Sequence, residues 1–299
     1  MDESRACPTC RGRKYLVERR GDRAFAEVCA CARPCGICGG SGYVLGSEEA
    51  TFSKKVGPKK YDVLAPCSCR LLDGRVRRFN EAQVPGVLAH ADFDGFRAQN
   101  AEQDRAKTVA MRFAHGYSRG APQKGFVLAG PVGTGKTHLL AAAIGHLALE
   151  IGAEARYVEI SLLYATIRRG FQDGKSGGEI IGPLSEVEVL AIDELGKGRG
   201  SQFELETLDE LIARRYNAGR TTLFTTNYSL DYERKAAGRT ATGHVNTSKA
   251  AEREGELLRE RIGERIYSRL CEMCEFVQMP GDTRDMRRLK QELGSRRAG

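Results

Sequence analysis

The chain has 299 residues, length for about two domains, and an apolar fraction of 41% that can fill a real core, which excludes disordered and fibrous classes. Its 35 glycines follow no collagen period, no apolar run reaches the roughly 18 residues that span a bilayer, and the opening MDESRACPTC lacks the apolar stretch of a secretion signal. A cytoplasmic protein with no membrane association is therefore expected. The net charge of +8 is uneven, since residues 1–80 carry 16 Lys/Arg against 9 Asp/Glu while the rest nearly cancels. Such a basic segment permits nucleic-acid contact without requiring it.

The first 69 residues hold eight of the ten cysteines and form an internal repeat. CPTCRGRKYLVERRGDRAFAEVCAC at 7–31 aligns with CGICGGSGYVL…YDVLAPCSC at 35–69, each half running CxxC, glycine, strand, turn, strand, CxC. Folding each half back as a hairpin gathers four thiolates around one ion, and Zn²⁺ suits four soft tetrahedral ligands. A reduced compartment and the poor geometry of neighbouring CxC cysteines disfavour disulfides. The repeat pairs Cys7, Cys10, Cys29 and Cys31 in one site and Cys35, Cys38, Cys67 and Cys69 in the other, with a nested arrangement as the alternative. Two zinc ions per chain are expected. Because metal supplies most of the folding energy of so small a unit, chelation is expected to unfold it and spare the remainder. With its CRG and CGGSG after the knuckles, the repeat resembles the cysteine-rich zinc domain of DnaJ chaperones, ending each half in CxC where that domain has CxxC.

After Gly74 the texture changes to strand-like runs alternating with helix-like stripes: GFVLAG, HLLAAAIGHLALEIG, ARYVEI, SLLYATIRRGF, VEVLAID, FELETLDELIARRY and TTLFTTN. That alternation predicts parallel strands joined by crossover helices, an α/β sheet covered on both faces. QDGKSGGEIIGP at 172–183 and the polar stretch at 231–255 read as loops. The boundaries expected are a zinc-binding segment at 1–72, a linker at 73–100 and a nucleotide-binding domain at 101–299.

GPVGTGKT at 130–137 matches GxxxxGK[ST] directly after a strand-like run and before a helix-like one, the context that makes a P-loop. Gly130, Pro131, Val132, Gly133, Thr134 and Gly135 would wrap the phosphates with inward N–H groups, Lys136 would reach the β and γ phosphates, and Thr137 would ligate Mg²⁺. The run VEVLAIDELG ends in Asp193, a second Mg²⁺ ligand at the sheet edge, and Glu194, a base for water. LFTTN ends in Asn227, able to hold the attacking water or sense the γ-phosphate. In GELLRERIGERIYSRL, Leu258, Ile262, Ile266 and Leu270 form a core stripe with Arg261, Arg265 and Arg269 beside it. A row of arginines either solvates a surface or reaches a neighbour's phosphates. The pair Cys271 and Cys274, two ligands only, reads as buried small hydrophobes.

On FNEAQVPGVLAHADFDGF, GPVGTGKTHLL, AIDELG, LDELIARRYNAGRTTLFTTNYSL, GERIYSRL and PGDTRDMRR, the chain resembles the DnaC/DnaI/IstB group of AAA+ ATPases over residues 79 to about 290. The resemblance implies a P-loop sheet in the order 5-1-4-3-2 with a reduced lid. It also implies Asn227 as sensor 1, Arg269 as an arginine finger acting between self-associated subunits, and Arg284 as a sensor-2-like contact to nucleotide. The function so implied is an ATPase that loads a replicative helicase, with helicase and single-stranded DNA as partners and ATP, Mg²⁺ and Zn²⁺ as cofactors. Two further readings stand beside it, a transposition helper and a chaperone-like adaptor that grips protein chains through the zinc unit.

Overall fold

A computed structural model describes residues 7–50, 59–174, 176–230 and 257–280. The two cysteine repeats form antiparallel hairpins. In the first, β1 (Tyr15–Arg20) pairs with β2 (Arg23–Val28) from Tyr15↔Val28 to Arg20↔Arg23, turning at Gly21 with φ +62°. The second pairs β3 (Tyr43–Ala50) with β4 (Lys59–Pro66). Cys67 then stands at the N-cap of α1 (Ser68–Ala82), so the chain crosses residue 72 inside a helix.

After α2 (Ala101–His115), capped by Asn100 through a 2.8 Å bond from the Gln103 N–H, the chain builds one parallel sheet. Its strands are β5 (Gly125–Ala129), β6 (Ala155–Glu159), β7 (Val189–Asp193), β8 (Thr221–Thr226) and β9 (Cys274–Gln278). Their spatial order is β6-β7-β8-β5-β9. Counted as first to fifth and read from the β9 edge, this is the expected 5-1-4-3-2. The connecting helices are α3 (Lys136–His146), which continues into a π-helical turn at Leu147–Ile151, α4 (Ile160–Gln172), α5 (Gly177–Glu186), α6 (Gln202–Asn217), α7 (Leu258–Ile262) and α8 (Glu264–Met273).

Every residue of the inner strands β5, β7 and β8 is buried, as a parallel sheet covered on both faces requires. Successive side chains go to opposite faces: Phe126 and Leu128 join a cluster with α1, α2 and α3, while Val127, Leu190, Ile192 and Phe224 join one with α4 to α8. The stripe of Leu258, Ile262, Ile266 and Leu270 is buried in the second cluster as expected.

Three expectations are revised. Residues 177–186 are a helix, because Ser176 and Glu179 form a capping box and Ile181 and Leu184 bury an apolar face. The arginine helix is broken at Gly263, whose φ of +83° ends α7 and turns Arg261 away from Arg265 and Arg269. The first hairpin is part of the sheet-bearing body: Tyr15, Ala24 and Ala26 are buried in one cluster with Val76, Phe79 and Ala82 of α1. Asn80 pairs with the Ala26 backbone in both directions, at 2.7 and 3.0 Å, and the Tyr15 hydroxyl donates to Glu150 at 2.5 Å. Of the CxxC at the end of α8, Cys274 is buried and Cys271 exposed. The loop 231–255, Arg284 and the expected lid lie outside the described residues.

Candidate functional site

The P-loop follows β5 and closes on the N-terminus of α3. Gly130, Gly133 and Gly135 take φ of +143°, +86° and +94°, which side chains with a Cβ rarely adopt. At Gly130 a Cβ would lie 2.7 Å from the Met279 carbonyl, so β9's end also demands glycine there. The loop is held from behind by Gln103, whose amide donates to the Thr134 carbonyl at 2.9 Å, while the Thr134 hydroxyl bonds Pro131 O at 3.0 Å. Lys136, 5% exposed, lies inside the loop with Nζ on the carbonyls of Gly130 and Pro131 at 2.7 and 2.6 Å. Val132 is exposed at the loop's outer bend.

β7 delivers Asp193 next to this loop. The Thr137 hydroxyl donates to Asp193 Oδ1 at 3.1 Å, Tyr157 to Oδ2 at 2.5 Å, and Thr225 to Oδ1. An octahedral Mg²⁺ at about 2.1 Å from each of two adjacent ligands separates them by about 3 Å, so the Thr137 and Asp193 oxygens fit that cation. Burial, and then the neighbouring Asp193 charge, push the Tyr157 phenol up, so it stays a donor. Glu194 adopts φ +58°, unusual for a residue other than glycine, and its N–H donates to Thr225 Oγ1 at 3.0 Å. Its carboxylate meets Lys197, which also bonds Glu159 at 3.0 Å. Burial raises the Glu194 pKa, with the Lys197 ammonium opposing the rise. Asn227 directly follows β8, between the ends of β7 and β5. Lys136, Thr137, Asp193, Glu194 and Asn227 thus share the C-terminal edge of the sheet.

The arginines divide. Arg261 donates from Nε to Gly196 O at 2.7 Å and from Nη2 to Gly198 O, fixing the loop after Glu194 from α7. Arg269 is in a 2.5 Å ion pair with Asp209 of α6, where Arg265 also approaches at 3.8 Å. Tyr157, Thr225, Lys197 and Gln103 have no motif of their own, and their roles emerge only from neighbouring strands and helices, whereas Arg261, one of the arginine row in the sequence, braces its own chain.

In the cysteine repeats, each cluster of four Sγ atoms lies within 4.8 Å of one another, in the sequential pairing. Cys7–Cys29 and Cys10–Cys31 are 4.0 and 3.4 Å apart, Cys35–Cys67 and Cys38–Cys69 are 3.7 and 3.5 Å apart. A tetrahedron of Zn–S bonds of about 2.3 Å has edges of about 3.8 Å, so both clusters fit zinc. Backbone N–H groups hold two knuckle thiols ready for ligation, Cys7 and Cys38 each lowered to about 6.

Residues 73–239, more than half of the chain, match the IstB-like ATP binding protein family. The chain belongs to that family. Among curated relatives it is 30% identical to the uncharacterized protein YdaV of Escherichia coli K12 over 154 residues, 52% of this chain and 60% of YdaV. It is 26% identical to the replicative helicase loader DnaC of the same organism over 163 residues, 54% of this chain and 65% of DnaC. These alignments span less than two thirds of each relative. A crystal structure of the DnaC helicase loader superposes with a TM-score of 0.52 at 26% identity, covering 65% of this chain and 99% of that one. The five-strand parallel sheet and its helices are therefore an AAA+ fold of the DnaC kind. No helix among the described residues is long and apolar enough to cross a membrane.

Proposed function

We propose that this chain is an ATP-dependent loader of a replicative helicase, in which residues 101–299 bind ATP and single-stranded DNA and the cysteine repeats of residues 1–72 hold two zinc ions and grip the helicase. The observation that carries the reading is the likeness to DnaC in both sequence and fold, over a P-loop, an acidic strand end and a polar strand end brought to one edge. In this reading the phosphates enter the P-loop and Lys136 leaves the carbonyls of Gly130 and Pro131 for them. Thr137 and Asp193 hold Mg²⁺, which would neutralise phosphate charge when bound. Glu194 orients and deprotonates water, Asn227 steadies it, and Arg284 contacts the nucleotide. Arg269, whose partner in its own chain is Asp209, serves the site of a neighbouring subunit.

The test is to trap Glu194→Gln protein with ATP, add purified replicative helicase and primed single-stranded DNA, and measure helicase bound to DNA. Loading by wild type, with a stable stalled complex for the variant, supports the reading. Failure to bind the helicase together with binding of a purified transposase offered in a parallel assay supports the transposition-helper reading, and suppression of aggregation by the protein without DNA supports the adaptor reading.

A further inference from the structure

The two cysteine repeats share one plan but not one environment. Aligning their knuckles places Tyr43 at the position of Tyr15, Leu45 at Val17, Leu64 at Ala26 and Pro66 at Val28. The cross-strand register agrees, since Tyr15↔Val28 and Val17↔Ala26 in the first hairpin correspond to Tyr43↔Pro66 and Leu45↔Leu64 in the second. These residues therefore form the same face of each hairpin.

In the first repeat a helix of the chain itself covers that face. Tyr15 and Ala26 are 8% and 1% exposed in one cluster with Phe79 and Val76 of α1 and Leu149 of the π-helical turn, and Val17 and Val28 pack on the same cluster. In the second repeat no described residue buries the face: Tyr43 is 41%, Leu45 80% and Leu64 69% exposed. Neither hydrophobic cluster of the body includes any residue of β3 or β4. A directly opposed pair of exposed leucines on a two-stranded ribbon is costly to leave in water and marks an interaction face. The substitution pattern points the same way, with the small Ala26 under α1 replaced by the larger Leu64. Arg70, in the first turn of α1, lies over the Tyr43 ring at 4.5 Å and puts an exposed cation at the edge of the patch.

We infer that Tyr43, Leu45 and Leu64 dock an amphipathic helix of the helicase, which covers the second hairpin as α1 covers the first, with an acidic residue of that helix meeting Arg70. The inference rests on the loader reading and names its contact surface. An α-helix suits the face because aliphatic residues spaced three and four apart interleave with Leu45 and Leu64. A nucleic acid suits it less, since aliphatic side chains offer no stacking platform for bases.

The experiment uses the full chain and the purified hexameric helicase. Leu45→Asp/Leu64→Asp should weaken helicase binding by about tenfold or more, with two zinc ions per chain and ATP affinity unchanged. The milder Leu45→Ser and a photocrosslinking residue in place of Leu45 report on the surface without burdening the hairpin fold. Crosslinks to helicase residues three or four apart on one helix are expected. If wild type binds helicase while the double variant, zinc-replete, binds equally well, or if the complex forms without crosslinks from position 45, the surface is wrong and the loader reading stands. If wild type fails to bind helicase at all, both fall. A concentration-dependent dimer dissolved by the double variant would make a second copy the occupant, and loss of DNA binding in its place would make it nucleic acid; either overturns the inference.

Discussion

Glu194 stands one residue beyond Asp193 with a left-handed backbone, and the two carboxylates are thereby sent to different partners, Asp193 to Thr137, Tyr157 and Thr225 and Glu194 to Lys197. Their separation predicts separable defects. Lys136→Ala should lose ATP binding, because the buried ammonium that matches the phosphates is gone. Glu194→Gln should keep ATP affinity within a few-fold and lose turnover by about 10² or more, since only the base is removed. Equal loss of affinity in both, by fluorescent nucleotide titration, would contradict the role given to Glu194. A second residue carries structure alone. Arg215 of α6 is fully buried and donates to Thr222 Oγ1 at 2.9 Å and to the carbonyls of Leu184, Val187 and Thr221 at 2.8, 2.9 and 2.5 Å. Burial lowers its pKa to about 9, which still leaves it a cation at neutral pH. Arg215→Met keeps the volume and orphans those acceptors, so a loss of about 3 kcal/mol or more in denaturant-derived stability is expected, with no separate catalytic defect.

At the scale of elements, the first hairpin and α1 share one hydrophobic cluster with the P-loop helix. Apparent zinc-binding free energies of about 10–16 kcal/mol are comparable with the whole stability of a domain, so metal loss there should reach the sheet. Cys10→Ser is expected to lower the main calorimetric transition by several degrees, whereas Cys38→Ser, in the hairpin that adds nothing to either core, should leave it nearly in place. Coincident transitions in both variants would refute this asymmetry. The same junction is expected to respond to pH. His146, near the end of α3, stacks on His115 at 4.5 Å; burial first and His115 second depress its pKa, against Glu150. Above the unfolded value of about 6.5 both states are neutral and this residue adds no pH dependence. As pH falls below it the unfolded chain takes the proton first, so stability drops until the folded pKa is passed. The thermal midpoint should therefore fall less steeply between about pH 7.5 and 5.5 for His146→Gln than for wild type.

For the whole molecule, the proposed intersubunit role of Arg269 turns on where that residue sits. It is tied to Asp209 where α8 meets α6, and among the described residues no hydrogen bond or ion pair joins it to its own P-loop. An arginine finger supplied from a neighbour is worth on the order of 10³ in rate. Turnover per chain should rise with protein concentration, and mixing Arg269→Ala with Lys136→Ala chains should restore part of it, one supplying the nucleotide site and the other the finger. A mixture that stays inactive while wild type assembles and hydrolyses ATP would remove the intersubunit role.

The sequence by itself determined what depends on spacing along the chain. GxxxxGKT needs glycines where the backbone turns left-handed around phosphate, the apolar run before Asp193 needs a buried strand, and the duplicated CxxC and CxC fix four sulfurs within a hairpin's reach. Strand order followed from the resemblance that these motifs carried. The helix at 177–186 is also written locally, in the capping box of Ser176 and Glu179, although the stretch as a whole is polar and reads as a loop. Tertiary structure alone decided the rest, because contact between distant segments has no period. Tyr157 and Thr225 reach Asp193 only because β6 and β8 flank β7. Arg261 and Arg269 part only because Gly263 breaks their helix. That one of two repeats of one plan is covered by α1 while the leucines of the other stay exposed is likewise a matter of tertiary packing.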